Sequence, residues 1–585
     1  MTEFLSRSIF IRSGGWLQRR ARASEAVFIL VAIGIGAAAG LLSVAQGALA
    51  RTLQHWFFAL PPAGRLSGLV ALSGPVLLVL PLGGAALALF SFLTRSRKRR
   101  LVDVVEANAL HGGQMSVADS LVISGQTILS NGFGASVGLE AAYAQLGGAV
   151  ASLAGGALNV RRSDLRTLVG AGTGAAIAAA FGAPLAGAFY AFEIVIGAYT
   201  PSAIAPVVAA ALAGTLVAQT LGIQPYVIDA AAGGAIQTHH YIIYGGLGAI
   251  CAVIGIALMR AVALVELGTR HARLPEWARP AIGGVLLVPI ALISPQVLSA
   301  GHGALHADLA VGATLGFIAA IFMAKCAASI VSLGFGFRGG LFFASLFLGT
   351  LVGHLFAGSL TLITGSAIVD PRDAALVGMA ALAVAVIGGP MTMAMLVLEA
   401  THDFSLTGAV LAASLVSSTI VRETFGYSFS TWRLHLRGET IKSARDVGWV
   451  KTLTAGRMMR RETRATSADI TVTEFRRRFP LGSTSRVVLI DATDHYIGIA
   501  LTAAGFAEGV DLDATIGTIA VNRDAVLTPE MDIQAVMATF DATGTDELAV
   551  LDDAGLVLGL LSETFVRRRY AEELEKAQRD LFGER

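Results

Sequence analysis

The sequence predicts an all-α, multi-pass membrane domain made of two related halves with broken and re-entrant helices, followed by a small water-soluble α/β domain. Three observations carry that expectation. The chain of 585 residues is 54% hydrophobic but only 14% charged, with a mean hydropathy of +0.68, too apolar and too charge-poor for an average soluble protein. Charges occupy about one position in ten over 1–440 and more than one in four over 441–585. Gly-rich motifs in the first three quarters recur at a nearly constant offset. A net charge of +2 argues against a nucleic-acid partner, which requires a dense basic surface. Cys251 and Cys326 both sit in apolar runs, so neither a disulfide framework nor a thiolate metal site is expected.

Residues 1–24 carry Arg7, Arg12, Arg19, Arg20 and Arg22 and lack a small-residue cleavage site after a short apolar core. They read as a cytoplasmic N-terminal segment and not as a secretory signal. Residues 26–50 are uncharged, and as a helix would span about 37 Å against a hydrocarbon core of roughly 30 Å. Further uncharged stretches run over 66–94, 167–192, 194–228, 241–259, 309–324, 339–369, 374–398 and 404–421. Many are interrupted, by Pro75, Pro81, Gly182, Pro184, Gly388, Gly389 and Pro390 among others, and the chain has 67 glycines. Non-helical backbone at membrane depth survives only where protein or a water-filled cavity covers it, so these breaks point to a substrate pathway.

The repeat is specific. Gly132-Phe133-Gly134 through Gly138-Leu139-Glu140-Ala141-Ala142 to Leu146-Gly147 aligns without gaps, at an offset of 202, with Gly334-Phe335-Gly336 through Gly340-Leu341-Phe342-Phe343-Ala344 to Leu348-Gly349. Gly182-Ala183-Pro184, with Glu193 nine residues on, matches Gly388-Gly389-Pro390, with Glu399 nine residues on, at an offset of 206. The halves are placed at about 100–230 and 309–440, and such halves in transporters pack around a site near the bilayer midplane. After Tyr427 the texture becomes charged and amphipathic. Val472, Phe475, Phe479, Val488, Ile490-Asp491 and Gly498 align at an offset of 61 with Ile533, Val536, Phe540, Ala549, Leu551-Asp552 and Gly559. Each unit reads as a helix followed by two short strands, at 487–490 and 496–501, then 548–551 and 556–561.

A run of glycines leading into a helix start offers backbone N–H groups and the positive end of a helix dipole, which together favour an anion. The stretches 132–138 and 334–340 each do so once, and an inverted relation between the halves would let the two helix starts converge. Glu140 stands in the first turn of one helix where its repeat partner is Phe342. An ionisable group at membrane depth costs at least about 2.5 kcal/mol and marks a functional site by default. Its carboxylate can occupy the anion position and be released by protonation; the bland alternative is a helix N-terminal carboxylate and nothing more. Glu193 and Glu399 read as structural or vestibule-lining residues. Lys325 and Arg338 precede the second Gly-rich helix, and either raise the pathway's positive potential or cap carbonyls. Gly134-Ala135-Ser136-Val137-Gly138 fits the hydrolase G-x-S-x-G pattern without its soluble α/β context. With no Walker A, H-E-x-x-H or EF-hand pattern either, no enzyme activity, resident metal or cofactor is expected.

These residues resemble the CLC chloride channels and proton-coupled chloride exchangers. Gly138-Leu139-Glu140-Ala141-Ala142 is similar to that family's G-[KR]-E-G-P motif, whose glutamate is the external gate. Gly339-Gly340-Leu341-Phe342-Phe343-Ala344 resembles G-G-x-F-x-P, and Phe181 to Gly187 resembles A-F-x-A-P-L-A-G. Pro390 to Phe404 resembles the A-P-L-T…E-x-T-x-D-[YF] segment. The likeness covers about 25–440, and 441–585 resembles the paired CBS domains of many members, at about 452–510 and 516–575. The resemblance implies two inverted-topology repeats, a homodimer, and one anion pathway per subunit. It places Glu140 as gate and proton acceptor, with Gly138, Leu139, Glu140, Ala141, Gly340, Leu341, Phe342, Phe343 and Ser430 lining the anion site. Departures accompany it. The family's G-S-G-I-P loop should fall near Arg95 to Val105, where no such pattern stands. Its pore-facing tyrosine aligns with Ser430, and the internal proton-transfer glutamate of many exchangers aligns with Ile194. Gly559-Leu560-Leu561-Ser562-Glu563-Thr564 lacks the aspartate of nucleotide-binding CBS pairs, which argues against an adenine nucleotide and for regulation or dimer support.

The expected activity is transport of small monovalent anions, chloride first, by a channel-like mechanism with a protonatable gate. The alternatives are a proton-coupled exchanger of the same fold and, in another class, a CBS-regulated cation transporter or membrane sensor. The expected location is the plasma (inner) membrane, with the N-terminus and tail cytoplasmic and with anion, protons and the lipid bilayer as partners.

Overall fold

The computed structural model describes residues 24–61, 64–94, 101–222, 236–304, 314–436 and 453–582, and its contacts divide the chain into two units, 1–446 and 447–585. The N-terminal segment lies almost wholly outside the described residues, as do parts of the stretches 194–228 and 309–324.

The first unit is helical. One half runs α1 (Glu25–Phe58), α2 (Val79–Thr94), α3 (Val104–Leu110), α4 (Val117–Gly132), α5 (Glu140–Ala157), α6 (Arg162–Phe181), α7 (Pro184–Tyr190) and α8 (Pro201–Thr220). The other runs α9 (Thr238–His271), α10 (Arg279–Ile293), α11 (Leu315–Gly334), α12 (Phe342–Thr364), α13 (Pro371–Ile387), α14 (Pro390–Thr401) and α15 (Phe404–Thr424), and closes on α16 (Phe429–His435). Among the described residues, seven helical stretches are long and apolar enough to cross a membrane. The sequence breaks fall where expected, and Gly-x-Pro acts as a stop followed by a start. Gly182 (φ 68°) and Gly388 (φ 84°) end α6 and α13 in the left-handed conformation, and Pro184 and Pro390 open the next helices, using the freedom of glycine at a helix end and the preset φ of proline at a helix start.

α6 and α13 form the centre. Every residue from Leu168 to Phe181 and from Asp373 to Val386 is buried, so protein and not lipid surrounds these apolar helices. Each crosses its predecessor at a glycine pair: Gly147 of α5 faces Gly172 of α6, and Gly349 of α12 faces Gly378 of α13. A Cβ on any of the four would run into a carbonyl oxygen of its counterpart, the close approach that small residues give membrane helices. The duplication also reaches further toward the N-terminus than the motifs reveal. α1 and α9 are both 34 residues long; α1 packs on α5, α6 and α8 as α9 packs on α12, α13 and α15, while α2 and α10 pack on each other.

The second unit holds two copies of one motif. β1 (Ala465–Ser467) pairs parallel with β2 (Arg486–Ile490), which pairs antiparallel with β3 (Tyr496–Leu501). β4 (Val526–Leu527), β5 (Glu547–Leu551) and β6 (Val557–Ser562) repeat the arrangement, down to a bulge at Leu489/Ile490 and Val550/Leu551. Helices α17 (Val472–Arg478) and α18 (Ile533–Thr543) stand at the offset the sequence predicts, and α19 (Glu563–Phe582) closes the chain. Alternate strand residues face opposite ways. Val487 and Leu489 join Phe475 in one core, Leu548 and Val550 join Phe540 in another, and Val488, Ile499, Ala549 and Leu560 pack together between the two sheets.

Candidate functional site

The two Gly-rich turns meet. α4 and α11 end at Gly132 and Gly334, and the chain reverses at Gly134 (φ 86°) and Gly336 (φ 89°). Each turn then runs to a second glycine, where the halves pair antiparallel: Gly138 N–H donates to Gly340 O at 2.9 Å and Gly340 N–H to Gly138 O at 3.2 Å. Two residues later α5 starts at Glu140 and α12 at Phe342. Two helix N-termini thus open from one shared bridge, the convergence that an inverted relation requires. The Gly138 and Gly340 amides serve the bridge itself, so an anion's donors there are the first-turn N–H groups beyond it, which lack intrahelical acceptors.

Glu140 lies across the bridge. Only 5% of the residue is exposed, and its carboxylate folds back so far that a Cβ on Gly138 would overlap it, while one on Gly340 would stand 3.1 Å from Oε2. Among the described residues, its Oε2 finds no hydrogen-bond partner, although the carboxylate lies at the start of α5 and across the bridge from that of α12. The walls are aromatic. Tyr190 stacks on Phe342 with centroids 6.1 Å apart, Phe181 lies 5.1 Å from Phe342 and 5.9 Å from Phe343, and the His302 ring lies 3.5 Å from Phe343.

A buried polar framework, unforeseen from sequence, holds the first turn. Ser136 N–H donates to Ser332 Oγ at 2.9 Å, the Ser136 and Ser329 hydroxyls are 3.0 Å apart, and Asn131 Nδ2 donates to Val137 O at 2.7 Å. Ser136, the serine of the hydrolase-like pattern, is wholly buried in this framework. Lys325 is also wholly buried and donates to Val297 O and Ser299 O, so it does cap carbonyls. Arg338 is half-buried, and its N–H donates to Ser130 Oγ at 3.0 Å.

Glu193 and Glu399 prove to be reciprocal helix caps. The Glu193 carboxylate accepts from Met391 N–H (3.0 Å), Thr392 N–H (2.8 Å) and Thr392 Oγ1 (2.6 Å), closing the start of α14. Glu399, on α14, accepts from Leu185 N–H (2.8 Å) and Ala186 N–H (2.9 Å), closing the start of α7. Both helices open on a proline without an N–H, and a carboxylate takes the next two donors, complementing the positive helix end. Glu399→Ala and Glu193→Ala are each expected to cost about 1–2 kcal/mol, read as a lower melting temperature in detergent for both variants; an unchanged melting point for either would show that its cap adds nothing.

Ser430 and Ile194 are not at the bridge. Both line a cavity of about 130 Å³ together with Glu193, Gly388, Tyr427 and Ser428. In the stretch where the family's G-S-G-I-P loop should fall, 95–100 lie outside the described residues, and Asp103 caps α3 by accepting from Glu106 N–H at 2.8 Å.

An all-helical membrane body with two inverted halves and helix N-termini opening on one buried carboxylate defines an ion-transporting membrane protein. The family model described as voltage gated chloride channel matches residues 83–422. A putative chloride channel protein ClcB-like from Ralstonia nicotianae is 31% identical over 408 residues, covering 67% of this chain and 92% of that protein. The voltage-gated ClC-type chloride channel ClcB of Escherichia coli O9:H4 is 27% identical over 401 residues, covering 67% and 95%. Among solved structures, a slow cyanobacterial Cl−/H+ antiporter superposes with a TM-score of 0.59 at 21% identity, over 70% of this chain and 97% of that one. A eukaryotic CLC transporter superposes with a TM-score of 0.58 at 19% identity, over 91% and 97%. The chain belongs to the CLC family of anion-transporting integral membrane proteins.

Proposed function

We propose that this protein carries small monovalent anions, chloride foremost, across the membrane, with Glu140 as a protonatable gate. The observation that carries this reading is the seat of the Glu140 carboxylate at the converging N-termini of α5 and α12. That seat offers backbone donors and two helix dipoles to whichever negative group occupies it, so a permeating anion and the carboxylate compete for it. Glu140, Ala141, Leu341, Phe342 and Phe343 supply the surrounding backbone, with Gly138 and Gly340 fixing the bridge. Relatives named as chloride channels support chloride as the ion.

The transport is channel-like in this reading. Ile194 places an apolar side chain at the cavity it shares with Ser430, and the neighbouring Glu193 carboxylate is occupied in capping α14. The fold likeness to a Cl−/H+ antiporter and a fluoride/proton antiporter supports the second reading, exchange of anion against proton. Reversal potentials in planar bilayers under a chloride gradient are expected to follow the chloride Nernst potential; a reversal on the cation side would overturn anion transport. A chloride gradient across proteoliposomes is expected to move no protons, and proton uptake against its own gradient would establish exchange. We assign the tail as a CBS pair that regulates or supports a homodimer, on the strength of its two matched α/β units.

A further inference from the structure

Two departures from the duplication place a buried ionisable group on the helices that flank the Gly-rich turns. Glu140 in the first half stands against Phe342 in the second, and Lys325 in the second stands, at the same offset, against Ile123 in the first. At these two positions one half contributes a buried acid and the other a buried base, each against an apolar counterpart.

Lys325 sits near the middle of α11, with none of its surface exposed. Nζ donates to Val297 O at 3.1 Å and to Ser299 O at 2.8 Å. Those carbonyls belong to the broken chain after α10, where Ser299 takes a positive φ of 53°. Ser299 continues the connection: its N–H donates to Gly134 O at 3.1 Å, and its hydroxyl accepts from Gln54 Nε2 and Asn131 Nδ2, each at 3.1 Å. Asn131 in turn donates to Val137 O, one residue before the Gly138 bridge. Further along α11, Ser329 and Ser332 hold Ser136 of the same turn. The ammonium is therefore joined through hydrogen bonds to the turn that seats the gate. An ammonium without a nearby anion is costly in a low-dielectric interior, and two carbonyl oxygens offset only part of that cost.

We propose that Lys325 is the fixed countercharge of the anion seat, a positioning residue that favours the ionised, seat-occupying form of Glu140 and stabilises the permeating anion once the carboxylate has left. The proposal rests on the Glu140 gate described above. The other ionisable groups around the seat are Tyr190 from α7, His302 against Phe343, and Arg338 ahead of the second bridge glycine; Asp103 acts on Tyr190, and Cys326 adjoins Lys325. All of them are retained in the variants below.

The test is anion efflux from proteoliposomes of the full chain, as a function of external pH and of chloride concentration. Lys325→Gln keeps a donor for the carbonyls and removes the charge; Lys325→Met keeps the stem and removes both. Both are expected to move the half-activation pH toward alkaline by about one unit, because the carboxylate loses the charge that favours its ionised form, and to raise the half-saturating chloride concentration about threefold or more. Lys325→Arg is expected to restore both quantities. In a Glu140→Gln background, Lys325→Gln is expected to leave the flat pH profile flat while still weakening chloride. Should either uncharged variant keep the wild-type midpoint and chloride dependence, even with a lower melting temperature, Lys325 is only a carbonyl tie and the proposal is overturned. A Glu140→Gln variant that retains the wild-type pH profile would overturn the gate assignment instead, with the chloride dependence of Lys325→Gln still deciding whether the lysine serves the anion.

Discussion

Replacing Glu140 with glutamine is expected to abolish the pH dependence of transport and to leave anion flux near its acid-stimulated level at every pH. The sign follows from the seat. While ionised, the carboxylate lies at the two helix starts and covers the Gly138–Gly340 bridge, so it excludes an anion that needs the same first-turn donors. Protonation removes the charge that the helix N-termini favour, the side chain leaves, and flux rises as external pH falls. A single titrating group changes the ratio of its two forms tenfold per pH unit, so the wild-type rise between pH 7 and 5 is expected to be on the order of tenfold or more. Glutamine is nearly isosteric and cannot ionise. Efflux measured from pH 5 to 8 decides the matter: a Glu140→Gln profile as steep as the wild type would remove Glu140 from the mechanism.

Gly138→Ala tests the same seat without altering its charge. The three atoms nearest a Cβ at this position all belong to the Glu140 carboxylate, the far end of a flexible side chain, and Gly138 is not among the positive-φ glycines. A methyl group there displaces the gate at little cost to the backbone. Flux at pH 7.5 is expected to rise several-fold toward the Glu140→Gln level, with a shallower pH profile and a stability change within about 1 kcal/mol. A methyl group that left flux and pH profile unchanged would mean that the carboxylate does not use this seat when the gate is shut.

Much of this arrangement was legible in the sequence because it rests on glycine and proline, which mark backbone geometry directly. The Gly132 to Gly138 and Gly334 to Gly340 runs identified both turns, and Glu140 stood out as a departure from its partner Phe342. The 61-residue offset located both helices and four of the six tail strands; β1 and β4, at three and two residues, are too short to show a pattern. The equivalence of α1 and α9 was hidden because loops of different length separate them from α2 and α10, so no single offset aligns them. The framework of Gln54, Asn131, Ser299 and Lys325 was hidden for another reason: its members are single polar residues scattered over four helical or broken segments, with no spacing to link them. Glu193 and Glu399 were visible as a matched pair, but whose helix each would close was not, since a carboxylate capping a distant helix leaves no local signature.

That exchange of caps bears on ancestry. A lone half of this body would carry a proline-led helix with nothing to close it and a carboxylate with nothing to close. Two identical copies related by a two-fold axis supply both needs with one residue type at one position. A single-copy forebear would therefore have been whole only as a pair, and fusing two such genes would have preserved a bond that already joined separate chains.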